Sequence, residues 1–162
     1  MAKARAIKDL AEDDAYGVVA AKVIEVRTRE LVKHSEGVLD ISDIERLHDM
    51  RVATRRLRAA LEVFEACFPP KPFRAVLKDV KALADALGER RDRDVHIASF
   101  AEFSLEVGSQ DKLGVESLIG RLGEEQRDAN RALEPYVSEQ RVAALAERLD
   151  ELAAAAREVA AA

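Results

Sequence analysis

The chain has no tryptophan, and aromatic residues make up only 4% of its 162 positions. It therefore offers few rings on which nucleic-acid bases would stack. One cysteine, Cys67, excludes an intrachain disulfide, and its neighbours Phe64 and Phe68 mark it as a buried small hydrophobe rather than a reactive thiol. No apolar run approaches the ~20 residues of a membrane span, and the N-terminus lacks the apolar block of a secretion signal, so the chain reads as soluble and cytoplasmic. No Ser or Cys stands beside a recognisable base, and no glycine-rich phosphate loop occurs, which leaves nucleophilic catalysis without support. No stretch alternates as a strand would.

What remains is 48% hydrophobic and 35% charged, with seven glycines, a mixture of Ala, Leu, Val, Glu and Arg suited to helical bundles. The length suits one domain, residues 1–162, with 1–12 as a frayed lead-in. Tyr16, Val19, Ala20, Val23, Ile24 and Leu31 predict an amphipathic helix over about 14–34, capped by Asp13 or Asp14. Arg27 falls inside that stripe, either snorkelling or serving an internal polar surface. Gly37 ends the helix, and Ser42 with Glu45 has the form of a capping box for a second helix over about 43–67. Pro69 and Pro70 stop it, and Pro72 keeps the turn extended. A third helix spans 73–87, where Gly88 serves either as its C-cap or in a tight corner; a fourth, over about 92–106, buries Val95, Ala98 and Phe103, with His96 in the core or at its boundary. Val115, Leu118, Ile119, Leu122, Ala129 and Leu133 mark the next helix, which Pro135 interrupts, and Val142, Leu145, Leu149, Leu152, Ala156 and Val159 mark the last. The class is all-α, a bundle of about five to six helices.

The organising stretch is Arg46 to Arg58, RLHDMRVATRRLR, which holds five arginines and one histidine in a chain of net charge -5. At 100° per residue, His48, Arg51, Arg55 and Arg58 fall within about 80° of one another, opposite Met50, Ala53, Leu57 and Leu61, with Arg56 on the flank. Planar guanidinium forks donate paired hydrogen bonds to phosphate oxygens and keep their charge, and a line of four suits an extended polyanion better than a single phosphate. Acidic residues on that stripe are nearly limited to Glu62, beyond its end. Arg74, Lys78 and Lys81 form a second row on the next helix, followed by Arg90 and Arg91, and antiparallel packing across a proline turn brings both rows to one groove. Asp92 and Asp94, interleaved with Arg91 and Arg93, suit capping and orienting arginines better than holding a metal. His48 reads as a metal ligand, a phosphoacceptor or a neutral donor to phosphate, but His34 and His96 are not at ligand spacing from it, so no metal site is expected.

His48-Asp-Met-Arg51-Val-Ala-Thr-Arg55-Arg56-Leu-Arg58, then Phe64, Lys81, Leu87-Gly88 and Arg91-Asp92-x-Asp94-Val95, resembles the CHAD domain, the conserved-histidine α-helical domain. The resemblance implies a non-catalytic helical module that binds inorganic polyphosphate and often accompanies triphosphate-processing tunnel domains. It makes His48, Arg51, Arg55, Arg58, Lys78, Lys81, Arg90 and Arg91 the positions that match the basic pore lining, with no cofactor. It also implies a location in the cytoplasm at polyphosphate granules.

Domains of that family are usually about twice as long and carry a second histidine and arginine motif, so this chain corresponds to one half of a CHAD-type double four-helix bundle. Either a homodimer rebuilds the two-walled pore or a shortened form binds weakly. Arg93 stands where the family commonly has an apolar residue. The competing readings from the same basic face are a nucleic-acid-binding module, which an acidic chain without a recognition-helix motif disfavours, and a domain that docks an acidic protein segment.

Overall fold

The computed structural model describes residues 3–161. Five α-helices follow in order: α1 (Tyr16–Ser35), α2 (Ile44–Val63), α3 (Pro70–Phe103), α4 (Ser109–Val137) and α5 (Glu139–Ala161), with a 3-10 turn at Glu65–Cys67 before α3. No strand occurs among the described residues.

Each stripe of the sequence becomes a wall of one core. Ala20, Ile24 and Leu31 of α1 meet Leu47, Met50, Leu57 and Leu61 of α2, Phe73, Val80 and Leu87 of α3, and Leu149, Leu152 and Ala156 of α5, all buried. The α1–α5 seam is the tightest: a Cβ on Gly17 would collide with the backbone carbonyl of Ala156. Cys67 is buried in the same core, and burial pushes its thiol pKa up.

Three boundaries differ from expectation. The third and fourth predicted helices are one helix of 34 residues, and Gly88 lies inside it. The ~1 kcal/mol that a mid-helix glycine costs relative to alanine is outweighed by the tertiary packing of Leu87, Arg90 and Asp94 on either side of the junction. Pro70 opens α3 instead of only closing α2, and Pro72 lies in the first turn of the helix rather than extending the loop, since the first turn has no use for the missing N–H of either. Pro135 lies within the last turn of α4, where buried Leu133 and Val137 hold the helix in register. Beyond the junction in α3, Val95, His96, Ala98 and Phe103 are exposed rather than buried, and so is Val159 at the end of α5.

Asp43 stands at the N-cap of α2, but neither α1 nor α2 receives a side-chain N-cap hydrogen bond. Ala15 stands at the N-cap of α1, while the Asp14 carboxylate accepts the Ala11 N–H at 3.1 Å and pairs with Lys22 at 2.7 Å. Ser42 donates its N–H and hydroxyl to Asp40 at 2.9 and 2.6 Å instead of closing a box with Glu45. Gly37 adopts φ of 67°, as the end of α1 requires.

The lead-in is tied down along α1. The Arg5 N–H donates to Glu30 at 2.5 Å, Arg27 pairs with the same carboxylate at 2.7 Å, and Lys22 donates to the Asp9 carbonyl. Arg27 thus serves a polar surface between α1 and the lead-in. Residues 1 and 2 of the expected frayed segment lie outside the described residues.

Candidate functional site

α2 and α3 run antiparallel through the turn at residues 64–69, and a groove of about 400 Å³ opens between them. One wall is Arg51, Arg55 and Arg58, brought together because they recur every three or four residues on the side of α2 away from Met50 and Leu57. The other wall is Ala84, Asp85, Gly88, Glu89 and Asp92 of α3. The three arginines therefore face three carboxylates, not a second cationic row.

Arg51 and Arg55 make no hydrogen bond or ion pair among the described residues. Arg51 is half-buried and Arg55 exposed. Arg58 is engaged: its Nε donates to Glu62 at 3.0 Å, and Lys81 approaches the same carboxylate at 3.6 Å. The hydrogen bond from Arg58 holds the Glu62 carboxyl below its usual range, slight desolvation opposes this, and the charges of Arg58 and Lys81 add to it.

The remaining cations are distributed differently from the expectation. Lys78 and Lys81 border a separate recess with Arg74, Leu77 and Ala82, and it shares only Asp85 with the arginine groove. The two rows thus lie end to end on either side of Asp85 and Glu62. His48 is half-buried one turn before Arg51 and is not part of the groove lining. Arg56 lies on the α1 side of α2: desolvation pushes the Glu30 pKa up, the Arg5 and Arg27 hydrogen bonds and the Arg27 charge bring it below its usual value, and the Arg56 charge adds to that lowering; Arg56 also has a polar partner of its own. Arg46 leans back on the α1–α2 loop, pairing with Asp43 at 3.0 Å and donating to the Glu36 carbonyl at 3.3 Å.

Arg90 does not reach the groove. Its side chain is 0% exposed, its Nε pairs with Asp94 at 3.0 Å, and it donates to Asn130. Gln126 donates to the same Asp94 oxygen at 2.6 Å, and the Asn130 amide donates to the Leu39 carbonyl at 2.9 Å. This buried network ties α3 to α4 and to the α1–α2 loop. Asp94 does orient an arginine, but into the core rather than toward a ligand. Arg91 is half-buried with one terminal nitrogen enclosed and unpartnered, and it is absent from the groove lining. Asp92 lies on the acidic wall and caps nothing, because α3 runs through it.

Two features escaped the sequence reading. Asp85, Glu89 and Asp92 are spaced four and three apart, which places them on one helix face, so the acidic wall was visible in principle. Gln126 and Asn130 interrupt the apolar stripe of α4, and an amide in such a stripe signals a buried polar partner.

No helix among the described residues is long and apolar enough to cross a membrane. No curated protein matches the chain. The family described as the CHAD domain matches residues 22–162, a span that takes in all of α2, both walls of the groove and the Arg90–Asp94 network. The chain belongs to the CHAD domain family.

Proposed function

We propose that the chain binds inorganic polyphosphate, or a similar extended phosphate polyanion, along the arginine ridge of α2, and that it does so without catalysing a reaction. The observation that carries this reading is that Arg51 and Arg55 stand on successive turns of one groove wall with no partner among the described residues. A guanidinium already committed to a carboxylate loses that interaction when it takes up an anion, whereas these two do not. His48 precedes them on the ridge. Beyond Arg58 and Glu62, Lys81 and Lys78 extend the track along α3.

The carboxylates of the opposite wall shape the mode of binding. Asp85, Glu89 and Asp92 repel a phosphate chain that descends between the helices, so the chain runs over the α2 rim. A second copy is proposed to supply the facing cations that α3 does not. Arg90 takes no part, and Arg91 contributes only through its exposed portion. On this reading the protein works at polyphosphate granules in the cytoplasm, and association with a triphosphate tunnel protein would bring its ligand to a processing site.

A competition titration tests the proposal. Long-chain polyphosphate, duplex DNA and single-stranded RNA are each titrated at two salt concentrations against the wild-type chain and Arg51→Ala/Arg55→Ala. Polyphosphate is expected to bind tightest, to weaken with salt, and to lose at least about tenfold in affinity in the double variant, since charge-assisted hydrogen bonds contribute about 1.5–3 kcal/mol each. Equal affinity for all three polymers would remove the polyphosphate assignment, and indifference to the double substitution would remove the groove.

A further inference from the structure

The recess at the start of α3 carries more net positive charge than the arginine groove. Across the groove Arg51, Arg55 and Arg58 face Asp85, Glu89 and Asp92, three cations against three carboxylates. Arg74, Lys78 and Lys81 line a recess of about 400 Å³ in which Asp85 is the one carboxylate.

Lys71 adds a fourth cation to this row. It stands three, seven and ten positions before Arg74, Lys78 and Lys81, spacings that return to one helix face, and it is exposed in the first turn of α3. Arg74 and Lys78 are exposed as well, and no side chain of these three makes a hydrogen bond or ion pair among the described residues. Asp79 is the only acid between residues 66 and 84. It is turned to α5, where it pairs with Arg148 at 2.5 Å and with Arg141 at 3.7 Å. An anion on this row therefore meets free cations and no uncommitted carboxylate before Asp85.

Length is the second observation. Lys71 to Lys81 covers about 15 Å and Arg51 to Arg58 about 10 Å at the helical rise of ~1.5 Å per residue. The rows join end to end where Arg58 and Lys81 share the Glu62 carboxylate, at 3.0 and 3.6 Å. A phosphoanhydride repeat advances about as far as two residues of helix, roughly 3 Å, so that tripolyphosphate fits within either row and about nine phosphates are needed to lie on both.

We propose that the first part of α3, Lys71 to Lys81, is the anchoring site for phosphate chains, and that only chains long enough to cross the Glu62 junction reach the α2 ridge. The ligand class follows: linear phosphoanhydride chains of about nine units or more bind through both rows, and shorter ones through α3 alone. Each row raises the effective concentration of a bound chain at the other, so affinity steps up once a chain spans both. The choice of phosphate as the anion rests on the proposed function; the division of labour between the rows does not.

Isothermal titration calorimetry on the full chain tests it, with tripolyphosphate and with chains of about fifteen phosphates or more, longer than the whole track, compared at equal phosphate concentration. On the wild type the long chain is expected to bind at least about tenfold tighter. Arg74→Ala/Lys78→Ala is expected to cost tripolyphosphate at least about tenfold in affinity. Arg51→Ala/Arg55→Ala is expected to leave tripolyphosphate unchanged and to weaken only the long chain. Circular dichroism checks that the helices persist, and Lys71→Ala alone, expected to weaken tripolyphosphate severalfold, serves if the double variant in α3 loses them. Tripolyphosphate that fails to bind at millimolar concentration, or that needs Arg51 and Arg55 as much as Arg74 and Lys78, overturns the anchor. Long chains that still bind and depend on Arg51 and Arg55 would then leave the functional reading intact, whereas long chains that do not bind at all would remove both.

Discussion

Neutralising Glu62 frees two cations at once, because its carboxylate engages both Arg58 and Lys81 at the junction of the two basic rows. Glu62→Gln is expected to strengthen polyphosphate binding severalfold, readable in the same titration. The pH dependence has a definite sign. The Glu62 carboxyl lies below its usual range in the folded chain, chiefly through the Arg58 hydrogen bond. Its ion pairs are thus fully formed above the ordinary carboxylate pKa and are lost as pH falls through the depressed value. Wild-type affinity should rise toward that of Glu62→Gln across this acid window, while the variant shows no matching step. Asp94 works in the opposite sense, since its partner is enclosed. Asp94→Ala leaves the Arg90 charge buried, and chemical denaturation should show a loss of about 3–5 kcal/mol. Changing both to apolar residues, Arg90→Met/Asp94→Leu, should recover part of that loss, because no unpaired charge then remains in the core.

At the scale of elements, Gly88 separates local preference from tertiary demand. It lies inside α3, and a Cβ built there meets nothing within 4 Å. Gly88→Ala should therefore stabilise the fold by about 1 kcal/mol, measured by thermal or urea unfolding. The same residue shows why the sequence was only partly legible. The stripes of α1, α2 and α5 could be read directly, because a repeat of three and four over twenty residues has few alternatives. Breaks at Gly88 and Pro135 were expected from local propensity, and packing by residues on other helices overrode both. Arg90 was grouped with Arg91 as its chain neighbour, yet successive residues of a helix point about 100° apart. Arg90 is held in the core by Asp94 and by Asn130 on α4, 40 positions away, while Gln126 binds the Asp94 carboxylate; the two amides signal a buried polar partner on α4 but not which residue it is. The arginine ridge was legible because all its members share one helix. The acidic wall facing it required knowing which face of α3 turns toward α2.

For the whole molecule, the Gly17 contact sets the order of assembly. The first helix is sealed by the last, with α1 pressed so closely on α5 that only glycine fits beside the Ala156 carbonyl. About a hundred residues separate the end of α1 from the start of α5. On the ribosome, at about 5–20 residues per second, that interval lasts roughly 5–20 s. Throughout it, the side of α1 at Gly17 that α5 seals has no permanent cover and is open to chaperones or to other nascent chains. A chain ended before Glu139 should therefore lack a cooperative unfolding transition and bind a hydrophobic dye, and addition of a peptide spanning 139–161 should restore the transition. Folding of the bundle thus waits for α5, and a ribosome stalled before Glu139 would hold α1 with the side at Gly17 uncovered.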